Sequence, residues 1–206
     1  MHIRREIKVM YDAPRVPADV DAALTETERQ AFQHHAHAFG QLAASATHPD
    51  IRRYLDRIAT QDVFWLMLYS EEESPFRVYF HHTVVEARAS YQIRLPRIEA
   101  IPSHLPAVLR PVYSSLGGVR EDCGGLRCPE DIIRFSEVGY WLSDANEIDA
   151  AGVFVFHEIG DGDSIGYTAS GSGVFYNHEE GLLSPYDLTE FTSTYFRELL
   201  AAPTYD

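Results

Sequence analysis

Four stretches of the sequence gather residue types that can do chemistry. His34, His35 and His37 form an H-H-x-H cluster, and neutral imidazole is the commonest transition-metal ligand among side chains. Helical ligands share a face when three or four residues apart. His34 and His37 meet that spacing, but no carboxylate stands one turn away on the same helix to complete a set. His81 and His82, adjacent in a predicted strand, point to opposite faces, so only one of them can join a shared site. A tertiary pairing of His37 with His82 would need a third ligand. His157-Glu158, followed by Asp161 and Asp163, places base, acid and carboxylate close together, as general acid-base or metal-assisted hydrolysis requires. The same Gly160-Asp161-Gly162-Asp163 run is also turn chemistry, because aspartate bonds its own backbone two residues on, and it lacks the terminal glutamate of a calcium loop. Ser170-Gly171-Ser172-Gly173 has neither the lysine of a phosphate loop nor the following helix of a nucleophile elbow, and reads as a hairpin turn.

The elements that must position these residues can be read from periodicity. Ile7, Val9 and Tyr11 alternate as in a strand, which the prolines at 14 and 17 end. Thr25-Glu26-Thr27-Glu28 has the form of a capping box, opening one helix that runs to about Ala46. Phe32, His35, Phe39, Leu42 and Ala46 make its buried stripe, while Gln33 and Gln41 face outward. A second helix over Ile51–Ala59 buries Ile51, Tyr54, Leu55 and Ile58. Val63–Tyr69 reads as a strand, Glu71–Pro75 as a loop and Arg77–Val85 as a returning strand; the following run, through Tyr91 and Ile93, is open between strand and short helix.

Ser103 is the expected N-cap of a helix whose apolar face is Leu105, Val108, Leu109, Val112, Tyr113 and Leu116, with a left-handed stop at Gly117-Gly118. Pro111 predicts a kink, or a helix broken in two. A short helix is expected around Phe135–Leu142. Val153–Phe156, Ser164–Thr168 and Val174–Tyr176 then form an antiparallel meander. A last helix from about Asp187 or Thr189 packs Phe191, Tyr195, Phe196 and Leu199 inward, and a frayed tail follows from Ala201. Together these elements predict an α+β fold with a mixed or antiparallel sheet and flanking helices. Two lobes are expected, residues 1–95 and 96–206, with one sheet shared by both as the alternative.

Charge is the other informative quantity. The 206 residues carry a net charge of -14, unevenly spread: Arg120–Asp206 holds 17 Asp and Glu against 4 Arg. Such a half repels nucleic acid and attracts a basic protein. Trp141, Tyr167, Phe175, Tyr176 and Tyr186 lie among these carboxylates, and aromatics rimmed by charge can anchor an interface. No apolar run approaches the ~20 residues that cross a bilayer, and Met1–Arg5 is not followed by a signal-type apolar region, so a cytoplasmic location is expected. Cys123 and Cys128, spaced C-x4-C with no second pair, are expected to be reduced thiols.

The Gly160–Asp163 turn after an apolar strand, the strand GVFYNHEEG with its acidic exit, the helix LTEFTSTYFRELL and the upstream LPAVLRPVYSSLGG together resemble the SUKH superfamily (Smi/Knr-type proteins), over roughly Leu105–Leu200. The chain departs from the pattern at Leu116, where members commonly carry asparagine before the paired glycines, and at Pro111. The resemblance implies an α+β protein, often a bacterial immunity protein that binds and silences a toxin, in many cases a nuclease, and it implies no catalytic set.

Two classes of function follow. One is a non-catalytic module, without cofactor or metal, that captures a basic toxin domain through Glu147, Asp149, Glu158, Asp161, Asp163, Glu179 and Glu180, with Tyr167 and Tyr176 as anchors; a regulatory scaffold within the cell differs from it only in partner. The other is a metal-dependent hydrolase built on His34, His37, His82 or His157.

Overall fold

The computed structural model of the chain describes residues 5–10, 22, 24–60, 64–70, 77–84, 89–121 and 124–201, and for 5–10, 64–70, 77–78, 81–84 and 89–90 the backbone alone. The expected loop at 71–75, the prolines at 14 and 17, Cys123 and residues 202–206 lie outside these. The fold is α+β, and the chain divides into two compact units, Met1–Leu95 with Phe196–Asp206, and Pro96–Tyr195. The last eleven residues thus group with the first unit, where the sequence had suggested the second.

In the first unit, strands β1 (Arg5–Met10), β2 (Phe64–Ser70), β3 (Arg77–Val84) and β4 (Ala89–Arg94) pair antiparallel in sequence order. The capping box forms as its spacing dictates: Glu28 N–H donates to Thr25 Oγ1 at 3.2 Å, and Thr25 N–H donates to the Glu28 carboxylate at 2.9 Å. The expected single helix is instead two, α1 (Glu26–Gln33) and α2 (His35–Ser45), because His34 leaves helical dihedrals at φ -139°. Histidine is a weak helix former, and three of the four residues from 34 to 37 are histidine. Helix α3 (Pro49–Ala59) buries Ile51, Tyr54, Leu55 and Ile58, the stripe read from the sequence. Phe39 meets Phe80 edge-on at 5.6 Å, and Phe196 tilts against Tyr54 at 5.5 Å.

The second unit is an antiparallel sheet between two layers. Its order is β5 (Gly118–Glu121), β6 (Gly124–Leu126), β8 (Val153–Glu158), β9 (Ser164–Thr168), β10 (Gly173–Asn177) and β11 (Leu182–Tyr186), with β7 (Ile133–Arg134) also paired to β8. Helix α4 (Arg110–Ser115) is preceded by a 3-10 turn over Ala107–Leu109, so the helix is split and Pro111 falls in a first turn, where it is tolerated. Its end differs from the expected left-handed stop: Leu116 is extended, and the positive φ belongs to Gly118 in β5. Short helix α5 (Phe135–Val138) follows β7, and α6 (Leu188–Leu200) closes the fold.

One face of this sheet buries Val153, Val155, Val174, Tyr176 and Leu183 under Phe135, Val138, Tyr140 and Ile148 of the 135–150 segment. The other face packs Phe156 and His157 against Phe191 and Tyr195 of α6. Two successive residues, Phe156 and His157, face the same helix because the β8–β9 register slips between Val155 and His157, leaving Phe156 as the extra residue of a bulge.

Candidate protein-docking surface

The structure breaks up the histidine constellations. His34 and His37 stand on different elements, so their helical spacing no longer places them on one face, and both are exposed. The side chain of His82 lies outside the described residues. His157 is 8% exposed, its Nδ1 lacks a hydrogen-bond partner, and burial pushes its pKa down to about 4. It is a neutral core residue packed against aromatic rings. Neighbouring Glu158, on the opposite side of the bulge, accepts from Arg127 Nη2 at 2.6 Å and is neutralised within the unit. His157, Glu158 and the 161–163 turn therefore do not converge on a reacting atom.

Two of the expected anchors are also placed otherwise. Tyr167 is 0% exposed and holds His104 Nδ1 through its hydroxyl at 3.1 Å. Tyr176 is buried in the core, and its O–H donates to the Trp141 carbonyl at 2.9 Å. Both fill the interior of the sheet instead of facing a partner. Desolvation raises both phenol pKa values, so neither ionises near neutrality.

What the structure assembles instead is a surface around the turn between β10 and β11. Residues 139–149 leave α5 through Gly139, at φ +80°, and fold back over the sheet. Tyr140 stacks on Tyr176 at 4.7 Å and tilts against Phe135 at 5.4 Å. Asn146 then fastens the segment to the hairpin. Its amide donates to the carbonyls of Gly181, at 2.7 Å, and Ser143, at 2.8 Å, and its carbonyl accepts from Leu183 N–H at 2.7 Å. Ser143 N–H adds a bond to the Gly181 carbonyl at 3.0 Å. One side chain thereby meets three backbone groups of a loop and a strand end that sheet pairing leaves open.

This clamp presents Trp141. The indole N–H donates to the His178 carbonyl at 3.0 Å. Gly181 sits at φ +61°, and a Cβ there would stand 2.6–2.7 Å from the consecutive ring atoms Cε3, Cζ3 and Cη2. Near-equal distances to three adjacent ring atoms mean that the glycine lies under the face of the ring, not at its edge. The backbone, the N–H and one face of Trp141 are all fixed, yet the residue is 55% exposed and Leu142 beside it is 38% exposed.

Carboxylates border the pair. Asp144, Glu147 and Asp149 are exposed along the segment, and Glu179 and Glu180 are exposed in the turn that seats the ring. Asp149 caps Ala151 N–H. Among the described residues the side chains of Glu147, Glu179 and Glu180 make no ion pair or hydrogen bond. Behind the turn, Asp163 Oδ1 accepts from both His178 N–H, at 2.8 Å, and the His178 ring nitrogen, at 2.9 Å. Its own turn closes as the sequence suggested, with Asp163 N–H donating to Asp161 Oδ1 at 3.2 Å. The hydrogen bond to Asp163 raises the His178 pKa, with smaller help from the charges of Asp163, Asp161 and Glu179. Asp161, Asp163 and His178 offer ligand atoms within 4.8 Å of one another, a cluster that contains none of the four histidines considered for a hydrolase.

In the sequence Trp141 is one of several aromatics with nothing to rank it, and nothing local singles out Asn146 or Gly181. The available signal was weak: a glycine directly after Asn177-His178-Glu179-Glu180, and an asparagine inside an acidic loop. Compared with protein-family models, curated proteins and solved structures, the chain matches none of them. No helix among the described residues is long and apolar enough to cross a membrane.

Proposed function

We propose that the chain is a non-catalytic, cytoplasmic protein-binding module of the SUKH kind, an immunity-type protein that captures and neutralises a basic toxin domain, with a nuclease as the most concrete target. The observation that carries this reading is the rigid, exposed Trp141–Leu142 pair within a border of unpaired carboxylates. Interface hot spots favour an aromatic anchor held in its bound shape before the partner arrives, since less freedom is then lost on association. The surrounding negative charge speeds encounter with a basic partner and rejects acidic ones. Glu147, Asp149, Asp161, Glu179 and Glu180 remain the acidic contacts of the proposal, whereas Glu158 is already paired with Arg127 and Asp163 with His178.

The test is a titration of the purified chain with the basic toxin domain encoded beside it, at rising salt. Binding is expected to weaken as salt screens the border, and charge reversal in Glu179→Lys/Glu180→Lys should cost about tenfold or more in affinity, mostly in association rate. Affinity indifferent to both salt and charge reversal counts against the reading.

A further inference from the structure

The state of Trp141 also points to the chemical group that meets it. Its N–H is committed to the His178 carbonyl, so a partner gains no hydrogen bond from the indole. One face of its six-membered ring rests on Gly181. What the ring still offers is its other face, a surface of negative electrostatic potential that attracts cations. Such a face among carboxylates draws a positive group twice over.

No cation of this chain fills the role among the described residues. Arg127 is paired with Glu158 at 2.6 Å, and Arg134 lies over the Phe154 ring at 5.7 Å. The second of these shows the same chain making a guanidinium–aromatic contact elsewhere on its surface.

Resting on the protein-binding reading above, we infer that the outer face of Trp141 seats an arginine side chain of the basic partner, with Glu179 and Glu180 bordering the seat as acceptors for its N–H groups. Arginine suits this seat better than lysine. Its guanidinium is flat and weakly hydrated, so it stacks on an indole while its in-plane N–H groups still reach carboxylates. An ammonium is a compact, strongly hydrated charge that must give up more hydration to meet the ring and cannot stack flat on it.

The experiment titrates the full chain at low salt with two synthetic peptides, one alternating arginine and glycine and one of equal length alternating lysine and glycine, following the indole N–H signals of Trp65 and Trp141 by NMR. The arginine peptide is expected to shift the Trp141 signal and bind about two- to fivefold tighter than the lysine peptide, the range of an exposed cation–π contact. Trp141→Leu should erase the preference while keeping weak binding of both peptides. Equal affinity for the two peptides, or binding that leaves the Trp141 signal unmoved, overturns the arginine seat but keeps an acidic docking surface. If neither peptide binds at low salt, both readings are overturned.

Discussion

His157 is a base that the fold prevents from acting as one. In the unfolded chain it takes a proton near 6.5; packed against the rings of Phe191 and Tyr195 it is buried, and burial lowers that to about 4. Between those values the unfolded state binds the extra proton, so stability is intact above about pH 6.5 and is lost progressively as pH falls through about 4. With each pH decade worth about 1.4 kcal/mol, the loss is on the order of 3 kcal/mol. His157→Leu should flatten the acid limb of a denaturation series, and an unchanged acid limb in that variant would contradict this account. His178 has the opposite sign. Its pKa is raised by Asp163, so the charged pair persists at low pH and is lost as pH rises through the raised value. NMR titration should find His178 above the ordinary histidine value in the native chain and lower in Asp163→Asn.

The 139–149 segment has no regular structure over most of its length and relies on Asn146 for its position. Asn146→Ala removes three hydrogen bonds to backbone groups, and is expected to cost about 1–3 kcal/mol. It should also free Trp141, shifting its fluorescence toward that of a solvated indole. Gly181→Ala should produce the same spectral change by a different route, since the added methyl enters the space of the ring. A variant with native fluorescence at either position would show that the clamp does not hold the indole. These contacts explain how far the sequence could be read. Periodic elements were legible: the capping box at Thr25, the stripe of α3, the three strands of the meander and the buried face of α6 all follow from local spacing. Strand β11 was not, because LLSPY carries a proline and barely alternates; as the edge strand, it needs no N–H from Pro185 for a further neighbour. The site was the least legible part. It is made by one asparagine and one glycine joining segments 35 residues apart, a join with no period.

For the whole molecule, 31 acidic residues against 17 basic ones leave much of the negative charge unopposed. Self-repulsion of this kind opposes the compact state, and salt screens it. Raising sodium chloride from low to moderate concentration should therefore increase the melting temperature while weakening capture of a basic partner. Opposite signs from one variable separate repulsion inside the chain from attraction across an interface, and a melting temperature that falls with salt would show that internal ion pairs outweigh repulsion. The extra residue at Phe156 has its own effect on the second unit, acting as a parity switch. Before it, odd-numbered side chains of β8 turn toward the 135–150 segment; after it, even-numbered ones do. Paired without that slip, the same six residues would turn the imidazole toward the 135–150 segment and press the glutamate among the aromatics of the last helix. Deleting Phe156 alone would instead restore plain alternation and leave Val155, His157 and Glu158 on the faces they occupy now.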